Sequence, residues 1–264
     1  MQSVNSNPSH GPSVSVILPT CNRRELLPRS MGSVLAQGFT DFELIVVDDA
    51  STDGTGEFIR GLGDPRIVYL PLPSNRGQAA ARNAGIRAAR APFVAFQDSD
   101  DEWLPDKLAP QVEALCADAS VAMVYGDLLR VPRTGEPYVL EAPALRRGKV
   151  VDGRPNLYAS YGLGIQTCVI RANVLARTRG FDERMRCFED LELFLRITRR
   201  HRSLRLPRAL VRYYENDGVS TTRHRELAAR AMLLRRYWLD IFLRKPARLF
   251  RERKNIRLGR GIGD

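Results

Sequence analysis

Two periods of apolar residues alternate along the first hundred positions. Residues 14–18, VSVIL, form a short apolar run closed by Pro19-Thr-Cys-Asn22, which predicts a strand and its turn. From 23 to 37 the period lengthens: Leu27, Met31, Val34 and Leu35 share one helical face, and Gly38 stops the helix. Residues 42–47 return to a continuous apolar strand. A short helix is predicted over 55–62, capped by Ser51 or Asp53, then a strand over 66–70. An alanine-rich helix over 77–90 follows a turn at 73–76, and FVAF at 93–96 is a fourth strand. Strands alternating with helices predict an α/β fold, a Rossmann-like, mainly parallel, twisted sheet flanked by helices.

Beyond Pro105 the pattern is less regular. A helix is predicted to 117, and residues 121–129 suit a pair of strands folded near Gly126. Residues 130–156 are rich in Pro, Gly and charge, so a long loop is expected there, either an acceptor-binding lid or a plain surface excursion. Residues 162–170 restart the sheet, 171–177 form a brief helix and 180–183 a turn. Leu191, Phe194, Leu195 and Thr198 then mark one face of a helix whose first residues, Glu189 and Asp190, suit its positive end. A last helix, 223–244, carries Leu227, Leu234, Trp238 and Ile241 on one face.

Composition sharpens this layout. The 264 residues are 44% hydrophobic and 27% charged, and no stretch is apolar enough to span a bilayer. The net charge of +11 is concentrated: residues 223–260 hold 13 Lys and Arg against three acids. The chain is therefore expected to divide into a flexible tail (1–12), a main α/β domain (13–222) and a basic amphipathic helix with its tail (223–264). The first residues lack the layout of a signal peptide, so a cytoplasmic location is expected. Cys21, Cys116, Cys168 and Cys187 form no C-x-x-C pair, so four buried thiols are expected, with neither zinc site nor disulfide. The basic end suits peripheral attachment to the inner face of the cell membrane, each cation contributing about 1 kcal/mol at an anionic leaflet. The alternative is a helix packed on the domain with a solvated tail. Nucleic acid is not expected, because aromatic stacking platforms are missing.

Candidate chemistry collects where strands end in acid. The fourth strand runs into Gln97, Asp98, Ser99, Asp100 and Asp101, at the carboxyl edge where open α/β sheets bind ligands. Three adjacent carboxylates repel one another, and a hard divalent cation, Mg or Mn, relieves them. The same acids also suit a solvated turn opening the next helix. The second strand ends in Asp48 and Asp49. Neither G-x-G-x-x-G after the first strand nor a P-loop occurs, which removes dehydrogenase and P-loop readings. Sugar-1-phosphate nucleotidyl transfer would need a glycine-rich loop where Pro19-Thr-Cys-Asn22 stands.

Five segments in order, VSVILPTCNR, DFELIVVDDASTDGT, NRGQAAARNAG, FVAFQDSDDEWLPDKL and GFDERMRCFEDLEL, resemble family 2 glycosyltransferases of the GT-A fold. The resemblance covers about residues 13–220. It implies that Pro19, Thr20 and Asn22 line a nucleotide pocket, that Asp49 hydrogen-bonds the base, and that Arg82 lies against the nucleotide or its phosphates. It matches Asp98 and Asp100 to the family's Asp-x-Asp motif as metal ligands, Asp98 also touching the nucleotide, with Asp101 near the sugar hydroxyls. Asp190 becomes the catalytic base and Glu189 orients the acceptor; as alternatives, Arg82 is an exposed helix arginine and Asp190 a helix cap. The implied enzyme is a hexosyltransferase-like, inverting, metal-dependent transferase acting on a nucleotide-sugar donor and a lipid-linked or envelope glycan acceptor. Absence of Q-x-x-R-W argues for transfer of single sugars. Asn216 replaces a histidine that many relatives use as a metal ligand. A homodimer is left open, as is a nucleotide-sugar-binding scaffold without turnover.

Overall fold

The computed structural model describes residues 11–143, 145–146, 149–150, 163–215 and 223–242. The first half runs β1 (Val14–Thr20), α1 (Leu27–Leu35), β2 (Phe42–Asp48), α2 (Thr55–Gly61), β3 (Ile67–Pro71), α3 (Gln78–Ala88), β4 (Phe93–Phe96), β5 (Glu102–Trp103) and α4 (Leu108–Ala117). The second half runs β6 (Val121–Val131), β7 (Tyr138–Leu140), β8 (Leu145–Arg146), β9 (Lys149–Val150), β10 (Val169–Arg171), α5 (Ala172–Thr178), α6 (Glu189–Arg200), β11 (Arg202–Tyr214) and α7 (Arg223–Phe242).

Among the described residues nine strands form one sheet in the order β3-β2-β1-β4-β10-β6-β11-β5, with β7 added on β6. The first four are parallel, as the alternating pattern requires, with Ile17 opposite both Ile45 and Phe96. Beyond β4 the sheet is mixed: β10 is antiparallel to both its neighbours, while β6 and β11 are parallel. β1 and β2 are buried on both faces, so they read as continuous apolar runs. Their side chains divide with period two. Ile17, Ile45, Val47 and Phe96 pack on one side with Ala81 and Ala84 of α3, and Val16, Leu18, Leu44 and Val46 pack on the other with Met31 of α1 and Leu115 of α4.

Several expectations are corrected. Gly126 does not turn the chain: β6 passes straight through it, because Leu210 and the Arg208 carbonyl of β11 approach so closely that a Cβ there would lie 2.5 and 2.8 Å from them. The expected loop after 130 begins as a hairpin, turned at Gly135 (φ +96°) and returning as β7, and β8 pairs with β9; residues 151–156 lie outside the described residues. The helix expected after Pro105 is α4, and just before it Trp103 pairs with Val211 as part of β5. β11 itself is a strand the pattern did not predict. It carries Pro207 and its register against β6 slips between Leu206 and Val211. Gly54, not Ser51, precedes α2, while Asp53 Oδ1 accepts from the Thr55 amide at 3.1 Å and hydroxyl at 2.6 Å. Only Cys168 and Cys187 are buried; Cys116 is exposed and Cys21 partly so.

α7 docks on the body through a stripe other than the expected one. Ala229, Leu233 and Tyr237 pack on Met185, Leu191 and Leu195, whereas Leu227 is 59% exposed and Leu234 36%. Glu192 of α6, fully buried, accepts from Arg236 Nη1 at 2.6 Å and Tyr237 Oη at 2.8 Å. Trp238, Ile241 and the basic run 245–260 lie outside the described side chains. No described helix is long and apolar enough to cross a membrane.

Candidate active site

The carboxyl ends of β1, β2 and β4 open into a cleft of about 810 Å³. Of the residues expected at the site, Pro19, Thr20, Asp49, Asp98, Asp100 and Glu189 line it together, delivered by three strand ends and the first turn of α6. Thr20 is 3% exposed and its buried Oγ1 makes no hydrogen bond among the described residues.

At the end of β2 the acids are answered by neutral donors. Asp49 Oδ1 and Oδ2 accept from the main-chain amides of Arg76 and Gly77 at 2.8 and 2.7 Å. Asp48 accepts from Tyr69 Oη at 2.7 Å and the Ser51 amide at 2.8 Å. Asn22 turns away from the cleft wall: its Oδ1 takes the Thr52 amide at 2.8 Å, so it joins the loops after β1 and β2.

At the end of β4 the partners are charged. Arg82, 2% exposed, donates to Asp98 Oδ1 at 2.7 Å and to Glu189 Oε1 at 2.8 Å, and its guanidinium lies 5.4 Å from the Phe181 ring centroid. Both of its terminal nitrogens are committed, so it sits behind the wall as a bridge between two acids. The alternative of an exposed helix arginine is overturned, and the small neighbours explain why. Ala79, Ala80, Ala81, Ala84 and Gly85 let α3 approach β1 so closely that a Cβ on Gly85 would lie 2.5 Å from Ile17 Cγ2, and Arg82 is carried into the interior. Its burial opposes the charge, but Asp98, Glu189 and Asp190 raise its pKa beyond the usual arginine value. Burial pushes Asp98 up, partly offset by Arg82 and reinforced by Asp100.

Asp101 is not at the cleft surface. It is 1% exposed, accepting from Gln166 Nε2 at 2.8 Å and the Tyr214 amide at 3.2 Å, and burial with repulsion from Asp98 and Asp100 holds its carboxyl well above the usual range. It therefore ties the acidic loop to β11. Asp190 accepts the Leu191 amide at 2.7 Å, and burial followed by Glu189 pushes its carboxyl up to about 7. It is not among the residues lining the cleft.

Asp98 and Asp100 present oxygen donors and mutual repulsion, which fits a hard divalent cation. Among the described residues no group of three or more His, Cys, Asp or Glu side chains is placed to hold a metal ion, so the two aspartates alone would supply its carboxylate ligands. Asn216 lies outside the described residues. Sequence reasoning missed Arg23, which pairs with Asp100, and Tyr213 and Tyr214, which line the cleft from the end of β11. Arg23 stands directly after the closing turn of β1, the one signal that could have placed it.

Residues 15–151 match the family described as Glycosyl transferase family 2. The chain is 31% identical to the succinoglycan biosynthesis protein ExoO of Rhizobium meliloti (strain 1021) over 188 residues, which cover 68% of this chain and 53% of that one. It is 36% identical over 114 residues to WfgD of Escherichia coli, a UDP-Glc:alpha-D-GlcNAc-diphosphoundecaprenol beta-1,3-glucosyltransferase, covering 43% of this chain and 45% of that one. The chain thus spans about half the length of these curated relatives. S. aureus TarS 1-349, solved with UDP-GlcNAc, shares the fold with a TM-score of 0.63 at 23% identity, covering 80% of this chain and 61% of that one.

Proposed function

The chain belongs to glycosyl transferase family 2, and from that premise we propose that it transfers single sugars from a UDP- or dTDP-sugar to a hydroxyl of a cell-envelope glycan or glycolipid, inverting the anomeric centre. The observation that carries this reading is the acid–arginine–acid bridge, in which Arg82 holds Asp98 of the β4 end and Glu189 of the α6 start on one cleft wall. Donor and acceptor chemistry are thereby fixed relative to each other.

In this reading the diphosphate lies over Asp98 and Asp100, and the base faces Thr20 and Asp49. Asp98 and Asp100 would hold a Mg or Mn ion, which would supply positive charge against the departing diphosphate. Asp190 takes the proton from the acceptor hydroxyl as that oxygen attacks the anomeric carbon. A carboxyl pushed up to about 7 suits the task, because a general base works best with a pKa near ambient pH. Glu189, held by Arg82, orients the acceptor. The names of WfgD and ExoO support an envelope or exported glycan as acceptor, and TarS with UDP-GlcNAc supports a UDP-linked donor. The basic residues between 223 and 260 support seating on an anionic membrane surface, beside lipid-linked acceptors.

The test separates binding from turnover. Asp190→Asn should lower kcat by about 10²- to 10⁴-fold while leaving UDP affinity unchanged by calorimetry. Turnover within a factor of two of wild type would remove Asp190 as the base.

A further inference from the structure

Arg23 holds one of the two proposed metal ligands. Its Nη1 donates to Asp100 Oδ2 at 2.8 Å, with the side chains 21% and 26% exposed. Neither backbone is free to retreat. Asn22, in the left-handed region at φ +50°, donates its amide to Ser51 Oγ at 2.9 Å, and the Arg24 amide donates to Asp53 Oδ2 at 3.0 Å. On the other side the Asp100 carbonyl accepts from Arg29 Nη2 at 2.5 Å, and that guanidinium stacks 3.8 Å from the centroid of the Tyr214 ring. Both main chains are thereby tied, which leaves any exchange of partner to the side chains.

A guanidinium does not lose its proton, so it cannot yield Asp100 to a cation by becoming neutral. It must be displaced, and the cleft offers it little else. Asp49 is bonded to two main-chain amides, while Asp98 and Glu189 are held by Arg82. The anion that would accept it is a diphosphate bound beside the ion. We propose that Arg23 competes with the divalent cation for Asp100 in the ligand-free protein, and moves to the diphosphate when cation and nucleotide bind together. This rests on the proposed donor site. Arg23 then makes the two ligands mutually dependent: metal alone binds weakly, nucleotide strengthens it, and by linkage metal strengthens nucleotide to the same degree.

The test is a titration with Mn(II), followed by the EPR signal of the free ion, on wild type, Arg23→Met and Arg23→Gln, with and without UDP. Circular dichroism checks that each variant folds. Without UDP, both variants should bind Mn(II) about tenfold more tightly than wild type, since a neighbouring positive charge has gone. At saturating Mn(II), both should bind UDP about tenfold more weakly, which shrinks the mutual enhancement. Variants that bind Mn(II) alone no more tightly than wild type would overturn the role of Arg23. If wild type and variants bind neither Mn(II) nor UDP in any combination, the donor-site reading falls and this inference falls with it.

Discussion

The ends of β2 and β4 both carry clustered acids at the same cleft, Asp49 on one and Asp98 and Asp100 on the other, yet they are built in opposite ways. At β2, Asp48 and Asp49 are surrounded by amides and a phenol, neutral donors that fix the carboxylates without competing for a cation. At β4, Asp98 and Asp100 face Arg82 and Arg23, and burial with repulsion from Asp100 raises Asp98 and Asp101. A carboxylate answered by main chain shapes a wall; one answered by a partly exposed guanidinium, as Asp100 is by Arg23, can change partner. The first kind suits recognition of a base, the second suits chemistry on a charged leaving group.

The largest effect that would sharpen this contrast is in the pH profile. Asp190 must be ionised to act as the base, so kcat/KM should hold above pH 7 and fall about tenfold per unit below it, about 100-fold by pH 5, in a donor-turnover assay. A profile level from pH 5 to 8 would contradict that role. Stability should move the opposite way. The folded pKa of Asp190 lies above its unfolded value, so its contribution is fully present below the unfolded pKa and is lost as pH rises through about 7. Asp190→Asn should therefore gain in Tm relative to wild type as pH goes from 5 to 8.

Next in size is Arg82→Met, which leaves two buried acids facing each other. It should cost about 3–5 kcal/mol in urea unfolding, as expected for breaking one side of a buried ion pair. Asp49→Ala strands two main-chain amides and should cost about 1–3 kcal/mol, with weaker UDP binding by calorimetry. A loss at Asp49 as large as at Arg82 would erase the distinction between the two strand ends. Smallest is Tyr69→Phe, which removes one donor to Asp48 and should cost about 1 kcal/mol by thermal unfolding with turnover intact.

The parallel half of the fold was legible because β1, β2 and β4 are buried on both faces and α1 packs one clear stripe, so local pattern and tertiary role agree. Agreement ends where long-range contacts decide. β11 holds arginines at 202, 205, 208 and 212 together with Pro207, which obscures a strand, yet its register with β6 and the bidentate Arg205–Asp127 pair at 2.9 Å place it in the sheet. Gly126 resembled a turn because its reason for being glycine lies across the sheet, in Leu210. At the site, the acids at 98, 100 and 189 were legible from their positions at element ends. The burial of Arg82 and Asp101 was not, because it depends on how closely α3 and β11 approach. On α7, Leu227 and Leu234 formed the more conspicuous stripe, but the buried acceptor Glu192 draws the Tyr237 side inward.

The most direct test is calorimetry of UDP binding with and without Mn(II), in wild type, Asp100→Ala and Asp48→Asn. The account predicts that Mn(II) strengthens UDP binding in wild type and in Asp48→Asn, and that this enhancement vanishes in Asp100→Ala. UDP binding that ignores both the metal and the Asp100 substitution would contradict it, and would move the chemistry away from the end of β4.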